Sequence, residues 1–156
     1  MKIEHFKCQD VYPLLDLEYN NMLGACMGNE GQPERLQHCD TFKGNKELHF
    51  APQNRGHAIQ DLISYDNDGT IRSANAGLND ELKTVLNLNV LHMKARRKAV
   101  LDGFKDSLHR YNGTPKRQII ERWIADWNGD SQPGALRPYC QVVVYWLQKK
   151  LNSSWA

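Results

Sequence analysis

Three short segments within the first 44 residues carry side chains that together could hydrolyse a phosphodiester. Glu4 and Asp40 offer carboxylate oxygens, which are the ligands that Mg²⁺ and Mn²⁺ prefer in proteins. His5 offers an imidazole, a group whose ordinary pKa of about 6.5 suits it to take a proton from water. The amide of Asn21 could hold that imidazole in place, and Lys43 could contact phosphate oxygens. These residue types predict a one-metal phosphodiesterase.

The adjacency of Glu4 and His5 sets a geometric condition on such a site. Consecutive side chains of an extended strand point to opposite faces of the sheet. If residues 3–6 are extended, the strand end must twist, or the metal ion must lie at the sheet edge, before both side chains can reach one phosphate.

The cysteines form a second group of candidate ligands. Three of the four, Cys8, Cys26 and Cys39, lie near His38 in the first 39 residues, and this clustering favours a metal site over a disulfide framework. Together with His38 they have the residue types of a Cys₃His zinc site. The alternative is that Cys26 and Cys39 are small buried hydrophobic residues and that Cys8 is incidental. The fourth cysteine, Cys140, lies on an apolar helical stripe and is expected in the core.

The composition is that of a globular protein: 156 residues, of which 40% are hydrophobic and 24% charged. No apolar run approaches the ~20 residues that span a bilayer, and the first residues, MKIEHFK, contain no apolar signal segment. We therefore expect a cytoplasmic protein without membrane contact. Residues 1–56 hold 6 basic and 8 acidic side chains, a net charge of −2, and residues 57–156 hold 14 and 10, a net charge of +4. The basic second part allows contact with nucleic acid.

The sequence pattern predicts an α+β fold in two parts. Residues 1–56 are rich in Gly, Asn, Gln and Pro, which is typical of a compact module with many loops. Residues 57–75 predict a hairpin around the turn Asp66-Asn67-Asp68-Gly69. Helical spacing begins near Asn79, which we expect to cap the first helix. The second part, residues 57–156, is thus predicted to be a short hairpin followed by a helical bundle.

Three longer helices are predicted in that second part. They cover residues 89–111, a segment that begins at Thr114-Pro115, and a segment that begins near Pro138. The first of them carries a basic group that could contact nucleic-acid phosphates: Lys94, Arg96, Arg97 and Lys98. The alternative interpretation of this group is a solvated helix face.

The order and spacing of the three N-terminal segments resemble the HNH endonucleases, the ββα-metal finger family. The closer likeness is to the PtuB-like branch of the Septu and retron anti-phage systems, which shows Glu-His-Phe, Tyr-x-Asn-x-Leu and His-Cys-Asp-x-x-Lys-Gly-Asn. The matching segments here are Glu4-His5-Phe6, Tyr19-Asn20-Asn21-Met22-Leu23 and His38-Cys39-Asp40-Thr41-Phe42-Lys43-Gly44-Asn45. The likeness continues into Leu86-Asn87-Leu88-Asn89, so it covers most of the chain.

The resemblance implies a role for each matching residue. Glu4 and Asp40 would bind the divalent ion, His5 would be the general base that activates water, and Asn21 would orient His5 through a side-chain hydrogen bond. Asn20 is the competing choice for the middle asparagine, but the count to the following cysteine favours Asn21. The resemblance also implies an N-terminal ββα-metal finger, a nucleic-acid substrate and a PtuA-like ABC-type ATPase as partner.

Two features depart from the family pattern. Many members carry a Cys-x-x-Cys pair before the Glu-His strand, whereas residues 1–3 contain no cysteine, and here twelve residues separate Cys26 from Cys39. Two alternatives therefore stand beside the endonuclease. One is a catalytically inactive HNH-like binding subunit of an ATPase complex, and the other is a nuclease directed at RNA such as tRNA.

Overall fold

The computed structural model describes residues 1–130, 134 and 136–153. The chain is mixed α+β and about 51% helical, with two small antiparallel sheets and six α-helices among the described residues. The α+β class predicted from the sequence is confirmed. The described residues contain no helix that is both long enough and apolar enough to cross a membrane.

The first sheet pairs two strands from the N-terminal region. Strand β1 (Lys2–His5) runs antiparallel to β2 (Met22–Ala25), with Glu4 opposite Leu23 and His5 opposite Met22. The connection between them contains two short 3₁₀ turns, at Pro13–Leu15 and Tyr19–Asn21. Helix α1 (Cys39–Lys43) follows after a loop and ends at Gly44, whose φ is 51°. This strand, strand, helix order places α1 beside β1, where side chains of the two elements form ion pairs.

The hairpin region differs in part from its prediction. Strands β3 (Ile63–Tyr65) and β4 (Ile71–Ser73) form the second sheet around the predicted turn. The segment just before β3, however, is a short helix, α2 (Ile59–Leu62), and not part of a strand. Ile59 and Leu62 are spaced three apart, which fits one face of a helical turn as well as it fits a short apolar run.

The next helix begins earlier than predicted. Helix α3 covers Ala76–Asp80 and continues into a π-helical turn at Glu81–Val85. Its N-cap is Asn75, whose Oδ1 accepts a 3.0 Å hydrogen bond from the Leu78 backbone nitrogen. The predicted cap, Asn79, instead accepts a 3.2 Å hydrogen bond from the Ser73 backbone nitrogen at the end of β4. Asn75 and Asn79 have the same capping chemistry. Because the side chain of Asn79 bonds to the end of β4, Asn75 is the residue that caps the helix.

The remaining helices follow their predicted positions closely: α4 (Leu91–His109), α5 (Arg117–Asn128) and α6 (Cys140–Ser153). Their shared core is a cluster of buried apolar side chains: Leu101, Phe104, Ile120, Val142, Val143 and Leu147. Cys140 is buried, as predicted. The helix that was predicted to begin at Thr114-Pro115 begins two residues later, with Lys116 at the N-cap position.

The chain divides into two compact units. The first contains residues 1–64 and 71–91, and the second contains residues 65–70 and 92–156. The boundary predicted between residues 56 and 57 therefore lies inside the first unit. Residues 71–91 belong to that unit because they contact α1 and the segment after it. The Cys39 backbone nitrogen donates to the Leu86 carbonyl at 2.9 Å, and Lys46 donates to the Thr84 carbonyl at 3.3 Å.

Candidate functional site

One cavity of the first unit collects the residues predicted to do chemistry. Glu4, His5 and Asp40 line the same cavity of about 270 Å³, which lies where the end of β1 meets α1. His5 is the last residue of β1, and the end of this strand places two consecutive residues, Glu4 and His5, at one cavity. The other lining residues come from the loops that follow the two elements: Cys8, Gln9, Asp10, Gly44 and Asn45.

Glu4 is held by a buried lysine. Lys43 is only 2% exposed, and its ammonium donates to Glu4 Oε1 at 2.8 Å, to the His5 carbonyl at 3.2 Å and to the Gly44 carbonyl at 3.2 Å. An ammonium group has three hydrogens to donate, and these three contacts use them. Lys43 was predicted to contact phosphate oxygens. Its burial and its partners do not fit that role, because it serves as the counter-charge of Glu4.

Asp40 is a buried residue of α1, and only one of its two carboxylate oxygens has a partner. Its Oδ2 lies 2.9 Å from the Lys2 ammonium, whereas its Oδ1 is buried without a hydrogen-bond partner. The hydrogen bond to Asp40 is the main reason that the pKa of Lys2 lies above its usual value, so this ammonium stays charged near neutral pH. A buried carboxylate oxygen without a partner is costly, and it is a donor atom that a cation could use.

The imidazole of His5 has a defined tautomer. Its Nε2 lies 3.0 Å from the backbone carbonyl oxygen of Asp16. Because a carbonyl only accepts, Nε2 must carry the hydrogen of this bond, and in the neutral ring Nδ1 keeps its lone pair. The contact therefore prepares Nδ1 as the proton-accepting nitrogen. No sequence pattern points to Asp16, because it contributes through its backbone carbonyl.

Asn21 acts on His5 indirectly, through the connection between β1 and β2. It is buried, and its Nδ2 donates to the carbonyls of Lys7 (3.0 Å) and Leu15 (3.2 Å), while its Oδ1 accepts from the Lys7 backbone nitrogen at 2.8 Å. The direct hydrogen bond to His5 that we predicted does not occur in this structure. Because Leu15 precedes Asp16, Asn21 instead fixes the segment whose carbonyl holds His5. Asn20, the competing choice, is exposed.

A separate group of ligand atoms lies at the junction of β2 and α1. Within the described residues, Cys26, His38 and Cys39 are the one set of three or more Cys, His, Asp or Glu whose ligand atoms all lie within 4.8 Å of one another. The two Sγ atoms are 3.2 Å apart, and His38 Nδ1 lies 3.3 Å from the Sγ of Cys39 and 3.7 Å from that of Cys26. This group could hold a metal ion, so the prediction of a Cys/His site is confirmed at that level.

Cys8 does not belong to that group, and the predicted Cys₃His set is corrected to three ligands. Cys8 is buried, and its Sγ lies 3.7 Å from the carbonyl oxygen of Asn45, beside the carboxylate cavity. The turn after β1 carries Cys8 toward the segment that follows α1. The other three ligands come from the end of β2 and the start of α1.

The basic group on α4 is less available to bind nucleic acid than the sequence suggests. Arg97 is buried, and its guanidinium donates to the Gly69 carbonyl, which does not fit the predicted contact with nucleic acid. Lys94 forms a 2.8 Å ion pair with Asp68, and Lys98 pairs with Asp102 one turn further along the helix. The hydrogen bond from Lys94 is the first of the causes that lower the pKa of Asp68 below its usual range. Arg96 is exposed.

Comparison with known proteins identifies no relative of this chain. The chain matches no protein-family model, and searches of curated proteins and of solved structures also return no match.

Proposed function

We propose that this chain is a metal-dependent endonuclease of the HNH type, which hydrolyses phosphodiester bonds of nucleic acid. In this proposal β1, β2 and α1 form the ββα-metal finger. The observation that carries it is the single cavity lined by Glu4, His5 and Asp40. The strand supplies one carboxylate and the imidazole, and the helix supplies the second carboxylate. These are the groups that the chemistry needs.

His5 is the general base in this proposal. The hydrogen bond from Nε2 to the Asp16 carbonyl leaves Nδ1 to take a proton from the attacking water. As the ring becomes positively charged, the same carbonyl stabilises the imidazolium. Asn21 supports this geometry by holding the segment that ends at Leu15.

Glu4 and Asp40 would hold the divalent ion. The unpartnered, buried Oδ1 of Asp40 and the presence of both carboxylates on one cavity fit such a ligand. When bound there, Mg²⁺ or Mn²⁺ would supply positive charge that stabilises the phosphate in the transition state. Lys2 and Lys43 now neutralise the two carboxylates, so each carboxylate must share or exchange its ammonium partner when the cation enters.

For the second metal group, we propose Zn²⁺ as the ion of Cys26, His38 and Cys39. Thiolate and imidazole are ligands that zinc favours over the hard cations Mg²⁺ and Mn²⁺. A metal there would join the end of β2 to the start of α1, and Cys39 directly precedes Asp40. The proposed zinc is thus structural support for the carboxylate cavity.

A nuclease assay with matched histidine variants tests the proposed activity. Wild-type protein should cleave DNA or structured RNA with Mg²⁺ or Mn²⁺, and a chelator should abolish cleavage. His5→Ala should lower the rate by about 100-fold or more, since general bases contribute at least that much. His109→Ala, at an exposed position of the second unit, is the control and should keep full activity. Undiminished cleavage by His5→Ala would remove the mechanism.

The second candidate function is an inactive finger that serves as a binding subunit. The observation that favours it is the neutralisation of both carboxylates by Lys2 and Lys43, which is the state expected of a cavity that no longer takes a cation. This candidate predicts no binding of Mn²⁺ in the cavity and no functional effect of Asp40→Ala. A calorimetric Mn²⁺ titration of the wild type and of Asp40→Ala separates the two functions.

The substrate and the partner are further parts of the proposal, and the motif resemblance is their support. We propose that the endonuclease acts in phage defence with a PtuA-like ABC-type ATPase. Co-expression followed by size-exclusion chromatography should give one complex. Parallel assays on duplex DNA and on tRNA, each with and without the ATPase, distinguish a DNA nuclease from one directed at RNA. Separate elution of the two chains would contradict the partnership.

A further inference from the structure

The Cys26, His38 and Cys39 ligand atoms are spaced nearly as a tetrahedral metal requires. With Zn–S bonds of about 2.3 Å and Zn–N bonds of about 2.0 Å, two sulfurs lie about 3.8 Å apart and a sulfur and a nitrogen lie about 3.5 Å apart. The observed separations are 3.2 Å between the sulfurs and 3.3 and 3.7 Å from Nδ1 to the sulfurs. Metal binding therefore requires the two sulfurs to separate by about 0.6 Å and each nitrogen–sulfur distance to change by about 0.2 Å.

Backbone contacts hold these ligands in place without any metal. The His38 backbone nitrogen donates to the Gly28 carbonyl at 3.0 Å, and that of Cys39 donates to the Leu86 carbonyl at 2.9 Å. Gly28 has φ +57°, and a Cβ there would lie 2.4 Å from the His38 carbonyl oxygen, so only glycine permits this close approach. The loop between β2 and α1 is thus shaped to bring residues 26 and 38–39 together.

Among the described residues, three side chains of the Cys, His, Asp and Glu types form this group. No other Cys, His, Asp or Glu of the described residues joins the group. The seven residues outside the description are Ser, Gln, Pro, Ala and Trp, so none of them carries a side chain of these four types. Cys8, the remaining cysteine of the N-terminal region, lies at the carboxylate cavity instead.

Solvent reaches part of this ligand group. His38 is only 5% exposed, whereas Cys26 is exposed and Cys39 is half-buried. Two thiolates neutralise a divalent ion, so the centre can accept either a neutral donor or one further anion without a large accumulation of charge. Metal sites with three protein ligands keep the fourth position for water or an incoming molecule.

We infer that Cys26, His38 and Cys39 bind one thiophilic divalent metal ion at an open site, whose fourth position exchanges between water and a small thiolate or imidazole donor from solution. A closed, purely structural zinc site would have no such position. The inference rests on the metal ion proposed above for the same three side chains and adds an exchangeable fourth ligand; it does not depend on the proposed nuclease activity.

Co²⁺ reports the coordination directly, because its visible d–d bands and its thiolate charge-transfer band respond to each ligand. Apo-protein in excess Mg²⁺ should take up one equivalent of Co²⁺ with both spectral features, and Zn²⁺ should displace it. Addition of imidazole, or in a second series of a small alkyl thiol, should shift the d–d bands in a saturable way while the one-to-one stoichiometry is retained. Hydrolysis of nucleic acid plays no part in this readout.

Cysteine variants give the matched controls. Cys26→Ser, at an exposed position, should roughly halve the charge-transfer intensity and weaken Co²⁺ binding at least tenfold. Cys8→Ala should leave the spectrum and its response to imidazole unchanged. The inference is overturned if no Co²⁺ binds, if the bands ignore both added donors, or if Cys8→Ala abolishes the spectrum, since the last result would make Cys8 the fourth ligand.

Discussion

The two candidate metal sites of the first unit are neighbours in sequence but differ in how they exist without metal. Cys39 and Asp40 are consecutive residues of α1. The ligand atoms on the cysteine side lie within 4.8 Å of one another, whereas each carboxylate on the other side is paired with a lysine. Free thiols are mostly protonated near neutral pH and can lie close together. Ionised carboxylates repel one another and need a counter-charge.

This difference predicts opposite responses to mutation. The cysteine site should gain stability only when a metal binds, because protonated thiols need no counter-charge before that. The carboxylate cavity already depends on its two ammonium groups, so their removal should change both folding and cation affinity. The following variants separate these two properties of the cavity.

Lys43→Met should have the largest effect on stability. It removes a buried ammonium and leaves Glu4 without its 2.8 Å partner, and the loss of one member of a buried ion pair costs about 3 kcal/mol. Urea unfolding should show this decrease in the free energy of unfolding. Lys98→Met, which breaks an exposed pair on α4, is the control and should cost less than about 0.5 kcal/mol. Equal costs for the two variants would contradict the role assigned to Lys43.

Asn21→Ala should have the next largest effect on the free energy of unfolding. It removes three hydrogen bonds to the backbone of Lys7 and Leu15 and leaves their polar groups partly buried, at a cost of about 2 kcal/mol. Asn20→Ala, at the exposed neighbouring position, is the matched control. If the loop positions His5 as described, Asn21→Ala should also shift the His5 ring resonances in an NMR spectrum. Unchanged resonances would mean that Asn21 supports the fold without affecting His5.

Lys2→Met should have a smaller effect than the two variants above, and it should strengthen the binding of a divalent cation. The variant frees Asp40 from the ammonium 2.9 Å away. We expect Mn²⁺ to bind about tenfold more tightly, which corresponds to about 1.4 kcal/mol. Isothermal titration calorimetry measures this change, with the exposed Lys83→Met as control. Weaker binding by Lys2→Met would show that Lys2 helps to form the cation site and does not compete with it.

The contacts of the candidate residues could not be predicted from the sequence. Glu4, His5 and Asp40 were chosen by residue type and spacing, and the structure brings them to one cavity. The partners of these residues depend on strand register and loop path. The Lys2–Asp40 pair requires β1 to lie alongside α1, and the Asp16 carbonyl that holds His5 leaves no signal in a sequence.

The same limit applies to the fold. The long helices were predicted well because their apolar spacing repeats over several turns, as in α5, which begins within two residues of its predicted start. The start of α3 was wrong because Asn75 and Asn79 are equally good caps, and only the position of β4 distinguishes them. Both roles predicted for Arg97, a contact with nucleic acid and part of a solvated helix face, need an exposed side chain, but its guanidinium is buried and donates to the Gly69 carbonyl.

We propose that Glu4 and Asp40 bind one divalent cation beside His5, and paramagnetic broadening by Mn²⁺ tests this proposal most directly. In the NMR spectrum of zinc-loaded protein, substoichiometric Mn²⁺ should broaden the ring signals of His5 and leave those of His109 sharp. Asp40→Asn should abolish the broadening. Sharp His5 signals at saturating Mn²⁺, or broadening that survives in Asp40→Asn, would contradict the account.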